Sequence, residues 1–131
     1  MTDVEEARAY FSNDKFAMKT TGIQIDDVKP LYAKCSLKIT DAHKNAAGAV
    51  MGGAIFTLAD FTFAVAVNFR QVITVTTTSS MYFVGPTKGD TLIAECTPIK
   101  DGRRTCFCEV SVCDNLGNPV AKVVFSGTHL G

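Results

Sequence analysis

Between Leu31 and Ile39 apolar and polar positions alternate: Leu31, Ala33, Cys35, Leu37 and Ile39 against Tyr32, Lys34, Ser36 and Lys38. A period of two puts the first set on one face of a β-strand and leaves the other face to water. Val4, Ala7, Tyr10 and Phe11 follow a three-four spacing, which predicts a short amphipathic helix over about residues 3–13. Ala54 to Asn68 is apolar nearly all round and rich in alanine, so it predicts a long buried helix. Beyond it only strand signals remain. Val72–Val84 ends at Gly85-Pro86, and Thr91–Ile99 is followed by an Asp101-Gly102 turn. Arg104–Cys113 comes next, and a turn through Asn115, Gly117 and Pro119 leads into Val120–Thr128. One strand, a long helix and four consecutive antiparallel strands describe an α+β fold, a curved antiparallel sheet wrapped around a central helix. No linker or repeat interrupts residues 1–131, so a single domain is expected.

Charge and cysteine usage narrow the picture. Thirteen Lys plus Arg balance 13 Asp plus Glu, and no basic stripe is visible, which disfavours nucleic acid as a partner. The apolar stretch Ala54–Phe69 is shorter than the ~20 residues of a membrane span and carries Asp60 near its middle, so no membrane partner is expected. Met1 to Arg8 is polar and acidic and lacks the apolar core of a signal peptide, which points to a cytoplasmic chain. The five cysteines are an odd number for a disulfide framework. Cys106 and Cys108 share a strand face, but no second Cys/His pair at finger spacing accompanies them. Reduced thiols, no metal and no cofactor are the expectation, with His129 incidental and no His partner for the cysteines.

Asp60 is the residue out of place. Burying an unpaired carboxylate is costly, and a carboxylate held in a partly dry site has a raised pKa that suits a base. Gly52-Gly53 opens the same helix. Free N–H groups there, backed by the positive end of the helix dipole, suit an anionic oxygen. Gly53 and Asp60 lie seven residues apart on one helix face, hence ~10 Å apart along the axis. One carbonyl cannot lie within reach of both groups of one chain. Two antiparallel helices from two chains would bring them together, giving a two-fold dimer with two equivalent sites.

The segment His43-Lys44-Asn45-Ala46-Ala47-Gly48-Ala49-Val50-Met51-Gly52-Gly53, followed by Thr57-Leu58-Ala59-Asp60, resembles the signature of hotdog-fold acyl-CoA thioesterases of the PaaI (phenylacetate-degradation) type. That signature reads roughly HxNxxGxxHGG, then LAD. Tyr82–Pro86, Gly89-Asp90, Asp114–Gly117 and Ser126–Thr128 resemble the family's strand-and-turn pattern. The resemblance implies a hotdog fold and hydrolysis of acyl-CoA, with coenzyme A part of the substrate rather than a cofactor. It also implies a homodimer, or a dimer of dimers forming a homotetramer. It assigns Asp60 as general base or nucleophile, Gly53 N–H as carbonyl polariser, and Asn45 as the group that places substrate or water. Gly52, Met51, His43 and Thr76 are implied near the substrate, with Arg103 and Arg104 near its phosphates. His43, a lone loop histidine, is otherwise expected to be a surface hydrogen-bonder. Met51 departs from the pattern, which has histidine there. That departure motivates the alternative of an acyl-CoA-binding protein with weak or no catalysis, and it weakens a third option, a hydroxyacyl dehydratase.

Overall fold

The computed structural model describes residues 1–131. Helix α1 spans Asp3–Phe11 and starts with a reciprocal cap: Thr2 Oγ1 accepts from the Glu5 N–H, and the Glu5 carboxylate accepts from the Thr2 N–H. A short wide helical turn follows at Phe16–Thr21. Strands β1 (Gln24–Lys29) and β2 (Tyr32–Lys38) form a hairpin. Helix α2 covers Gly52–Asn68. Strands β3 (Thr74–Phe83), β4 (Thr91–Asp101), β5 (Thr105–Asp114) and β6 (Pro119–His129) complete the chain. The six strands form one antiparallel sheet in the order β1-β2-β4-β5-β6-β3.

The number of strands corrects the sequence expectation. The sheet has one more strand than the pattern predicts, because a bulge between Ile25 and Asp27 breaks the alternation in β1. Ile25 and Val28 are its buried residues, three apart rather than two, and Asp26-Asp27 mask the strand in the sequence. The four late strands also do not lie in chain order. β3 crosses to the far side and pairs with β6, leaving β2 to pair with β4.

The concave face packs on α2. Phe63 stacks on Phe125 at 4.7 Å between centroids, and Leu58, Val65, Cys35, Ala94 and Val110 surround them with no exposure. Burying side chains of this size contributes roughly 1.5–3 kcal/mol each. α1 covers the β1 edge, where Arg8 Nε donates to the Ile25 carbonyl at 2.9 Å and Phe11 meets Phe61 edge-on.

The helix is not buried all round, contrary to the sequence expectation. Gly53, Thr57, Asp60, Ala64 and Asn68, spaced three and four apart, form a stripe that the sheet leaves uncovered. Beside it, β3 is paired on one edge only and is exposed along nearly its whole length. A long strand with an open edge is a template for pairing with another chain. No helix is long and apolar enough to cross a membrane.

Candidate active site

The loop before α2 is built to present the helix N-terminus. His43 O accepts from Met51 N at 2.8 Å, and Lys44 bridges to Val50. Between them Asn45 folds the loop on itself: its Oδ1 accepts from Ala47 N and Ala49 N at 3.0 and 3.1 Å. Its N–H donates to Ala49 O, and Gly48 closes the turn at φ 85°. Met51 is the N-cap, in extended geometry and with no side-chain bond into the helix. The N–H groups of Ala54 and Ile55 turn back to Met51 O, whereas those of Gly52 and Gly53 have no acceptor in the chain. The two glycines differ in why they are glycine. A Cβ at Gly52 would lie 3.0 Å from the Phe83 ring, while at Gly53 nothing lies within 4 Å. The open side of Gly53 is where a ligand can approach the backbone.

Asp60 stands half-buried on the uncovered stripe and has no hydrogen-bond partner within the chain. It opens into a cavity of about 310 Å³ lined by Asp14, Lys15, Phe16, Ala17, Thr57, Phe61 and Ala64. Burial, and then the negative charge of Asp14, push its carboxyl above the ordinary carboxylate value. The other predicted positions are distributed as follows. His43 is buried rather than at the surface. Its Nδ1 accepts from Thr40 N at 3.0 Å and its Nε2 donates to Thr21 O at 2.7 Å. Both ring nitrogens are thus spent on backbone, and the side chain fastens the loop. Asn45 keeps only its amide NH₂ free. Met51 is 54% exposed. Thr76 sits on β3 opposite Gly127, just before the bulge at Thr77. Arg103 and Arg104 are exposed in the β4–β5 turn. Arg103 lines a second cavity of about 780 Å³ with Asn68 and Arg70, at the C-terminal end of α2. Gly52 lines a cavity of about 580 Å³ with Phe83 and Gly89, at the opposite end. The ends of α2 are ~24 Å apart, so one chain does not bring Gly53, Asp60 and Arg103 to a single point.

Phe61 and Phe63, 4% and 1% exposed, belong to the core, whereas Phe83 is 59% exposed beside Gly52. Cys35, Cys96, Cys106 and Cys108 are buried free thiols, and Cys113 is half-buried. One grouping escapes sequence reasoning altogether. Asp101, Cys106 and His129, from three different strands, place their donor atoms within 4.8 Å of one another. Cys106 therefore does have a histidine neighbour. Only the DG turn signal after β4 hinted at the arrangement, by fixing which residues of β4 and β5 face each other.

A model of the thioesterase superfamily matches residues 47–121, the segment that holds α2 and most of the sheet. The chain belongs to the thioesterase superfamily. Within it, the chain is 29% identical over 118 residues to acyl-coenzyme A thioesterase PaaI of Escherichia coli K12, covering 89% of this chain and 84% of that one. The solved PaaI structure superposes with a TM-score of 0.89 over 98% of this chain and 94% of that one, at 23% identity, which fixes the PaaI-type hotdog fold. A Streptococcus mutans UA159 protein solved bound to acetyl-CoA superposes with a TM-score of 0.78 at 28% identity, over 83% of this chain and 89% of that one. A presumed esterase of Deinococcus radiodurans is 33% identical over 91 residues, 70% of this chain. The match spans 62% of that relative's length.

Proposed function

We propose that the chain hydrolyses acyl-CoA thioesters at a site shared by two copies. The observation that carries this reading is the uncovered helix stripe. At one end it holds two N–H groups without acceptors, and two turns on it holds a half-buried carboxylate without a partner. If Gly53 of one copy faces Asp60 of the other, the two-fold axis passes beside Phe56 and Thr57. The open edge of β3 then lies alongside its own copy, so helix and sheet are covered together. The same operation brings the Arg103 end of each chain toward the partner's Asn45 loop.

In that arrangement the thioester carbonyl oxygen accepts from Gly53 N–H, with the helix dipole behind it. Asp60 takes a proton from water as the water oxygen attacks the carbonyl carbon, or attacks directly as a carboxylate to give an acyl-aspartyl anhydride that water then hydrolyses to free acid. Charge grows on the oxygen held by Gly53 as the C–O bond forms. Collapse breaks the C–S bond, and the coenzyme A thiolate leaves and takes up a proton. Asn45, with its oxygen spent on the loop, has its NH₂ left to donate to substrate or water. Support for coenzyme A as the carrier comes from the Escherichia coli relative and from the Streptococcus mutans structure with acetyl-CoA. Release of free thiol across aryl, short, medium and long acyl-CoA substrates tests the reading. A flat response to the whole panel rejects it.

Met51 favours a second reading, binding of acyl-CoA with little turnover. Its exposed thioether stands where the PaaI-type signature has histidine and makes the mouth of the site more apolar. Tight calorimetric binding without thiol release would select this reading.

Two further outcomes are expected. Ala64→Arg, on the uncovered stripe, should give a monomer by analytical ultracentrifugation with unchanged circular dichroism, and hydrolysis should fall with the loss of the dimer. Arg103→Ala should raise KM for acyl-CoA roughly fivefold and leave kcat unchanged, as expected for an exposed charge that binds ground and transition states alike.

A further inference from the structure

On the concave face, at the C-terminal end of α2, the sheet gathers polar groups where its period would place apolar ones. The cause is a bulge in β4 between Pro98 and Lys100. Pro98 pairs with Cys108, but beyond Ile99 the register slips, so that Asp101 rather than Lys100 faces Cys106. A bulge re-aims the side chains that follow it, and here it sets a half-exposed carboxylate beside a buried thiol. His129, at the end of β6, completes the group. Its Nε2 lies 2.9 Å from Asp101 Oδ1 and its Nδ1 lies 2.6 Å from Thr74 Oγ1. Thr74 Oγ1 in turn donates to Val72 O at 3.1 Å. The contact with Thr74 Oγ1 fixes the imidazole with Nε2 turned to the Asp101 carboxylate. A carboxylate, an imidazole and the Cys106 thiol, each able to serve as a donor to a cation, thereby come within 4.8 Å of one another.

We propose that Asp101, Cys106 and His129 form a binding site for a divalent cation of the zinc class, with Thr74 orienting the imidazole. Thiolate, imidazole and carboxylate together suit a borderline-soft ion and do not suit magnesium or calcium. Bond lengths of ~2.0–2.3 Å to a tetrahedral ion place its ligand atoms ~3.3–3.6 Å apart. The present grouping within 4.8 Å therefore needs only side-chain adjustment, with His129 and Asp101 parting slightly. Three protein ligands leave one position open, and Asp101 and His129 line the cavity of about 780 Å³, from which water can fill it. The thiol, held protonated by burial, releases its proton to solvent as the ion binds. The site ties β4, β5 and β6 together and stands apart from Gly53 and Asp60, while sharing its cavity with Arg103.

The test uses the metal-free, reduced full-length chain titrated with zinc by calorimetry and with cobalt by absorption spectroscopy. One equivalent should bind, and cobalt should develop a thiolate charge-transfer band in the near ultraviolet. Cys106→Ser should abolish that band. Asp101→Asn, at a half-exposed position that leaves the core intact, and Thr74→Val should each weaken zinc about tenfold or more. Circular dichroism checks that each variant folds. If Cys106→Ser does not fold, Asp101→Asn and Thr74→Val decide the matter by the same titrations. Three results would overturn the site: no cobalt band in molar excess of the ion, a band that survives Cys106→Ser and so belongs to Cys113 or Cys108, or unchanged zinc affinity in Asp101→Asn. Any of these would leave His129 and Asp101 as an ion pair only.

Discussion

Asp60→Asn should lower kcat/KM for acyl-CoA hydrolysis by at least ~10²-fold while acyl-CoA still binds and the oligomer persists. The amide is the same size and keeps the half-buried contacts, but it can neither accept water's proton nor attack. Measurement of thiol release alongside calorimetric binding separates the two effects, and hydrolysis at the native rate would remove Asp60 from the mechanism. Stability should move the other way. Burial and Asp14 raise the folded-state pKa of this carboxyl above its unfolded value. The native state therefore holds its proton more tightly, and the stability contributed at low pH is lost as pH rises through the folded value. At neutral pH the charged Asp60 is a liability to the fold, so Asp60→Asn should melt at the same temperature or higher. For the same reason the acid limb of kcat/KM should lie above the ordinary carboxylate range and should vanish in the variant.

Asp114→Ala should produce the largest loss of stability, with Tm falling on the order of 10 °C. Asp114 is 1% exposed at the end of β5 and receives four backbone donors: Lys88 N at 2.8 Å, Gly89 N at 3.0 Å, Leu116 N at 3.0 Å and Asn118 N at 2.9 Å. The Asn118 amide adds a further donor at 3.0 Å. Burial alone would raise this carboxyl's pKa, but the backbone donors from Lys88, Asn118 and Gly89 outweigh it and hold the group well below the usual range. The folded value thus lies below the unfolded one. The stabilisation is present above the unfolded value of ~3.9 and fades as pH falls through the folded one. Removing the carboxylate leaves those donors unsatisfied and releases the β5–β6 turn from the segment between β3 and β4. That segment carries Gly85 and Gly89 in the wall of the cavity beside Gly52, so kcat/KM should fall together with Tm. Thermal melts of wild type and variant from neutral pH to pH 3 check both claims. Their difference in Tm should shrink at the acid end.

Local periodicity carried most of the elements. The strict alternation around Cys35 and the apolar run from Ala54 to Asn68 each permit one answer, because a face must be buried against something. β1 was hidden for the same reason: its bulge moves Val28 out of step with Ile25, and a pattern read at fixed period passes over it. His43 shows where a motif letter misleads. Its place in the signature suggested a group near the substrate, but its nitrogens are bonded to Thr40 and Thr21 across a loop. A lone polar residue does not announce whether it faces ligand or backbone.

The sequence by itself determined the α+β class, the long helix and the seven-residue interval that keeps Gly53 and Asp60 of one chain apart. These follow from covalent spacing and helical rise, which no tertiary contact alters. The tertiary structure decided that β3 leaves its chain neighbours to become an open edge beside an uncovered helix stripe. It also decided that the carboxylate and thiol facing each other across the β4–β5 hairpin meet an imidazole from the end of β6. Such choices depend on strand order and on single-residue bulges, where the free energy is set by partners distant in sequence, and local pattern carries no record of them.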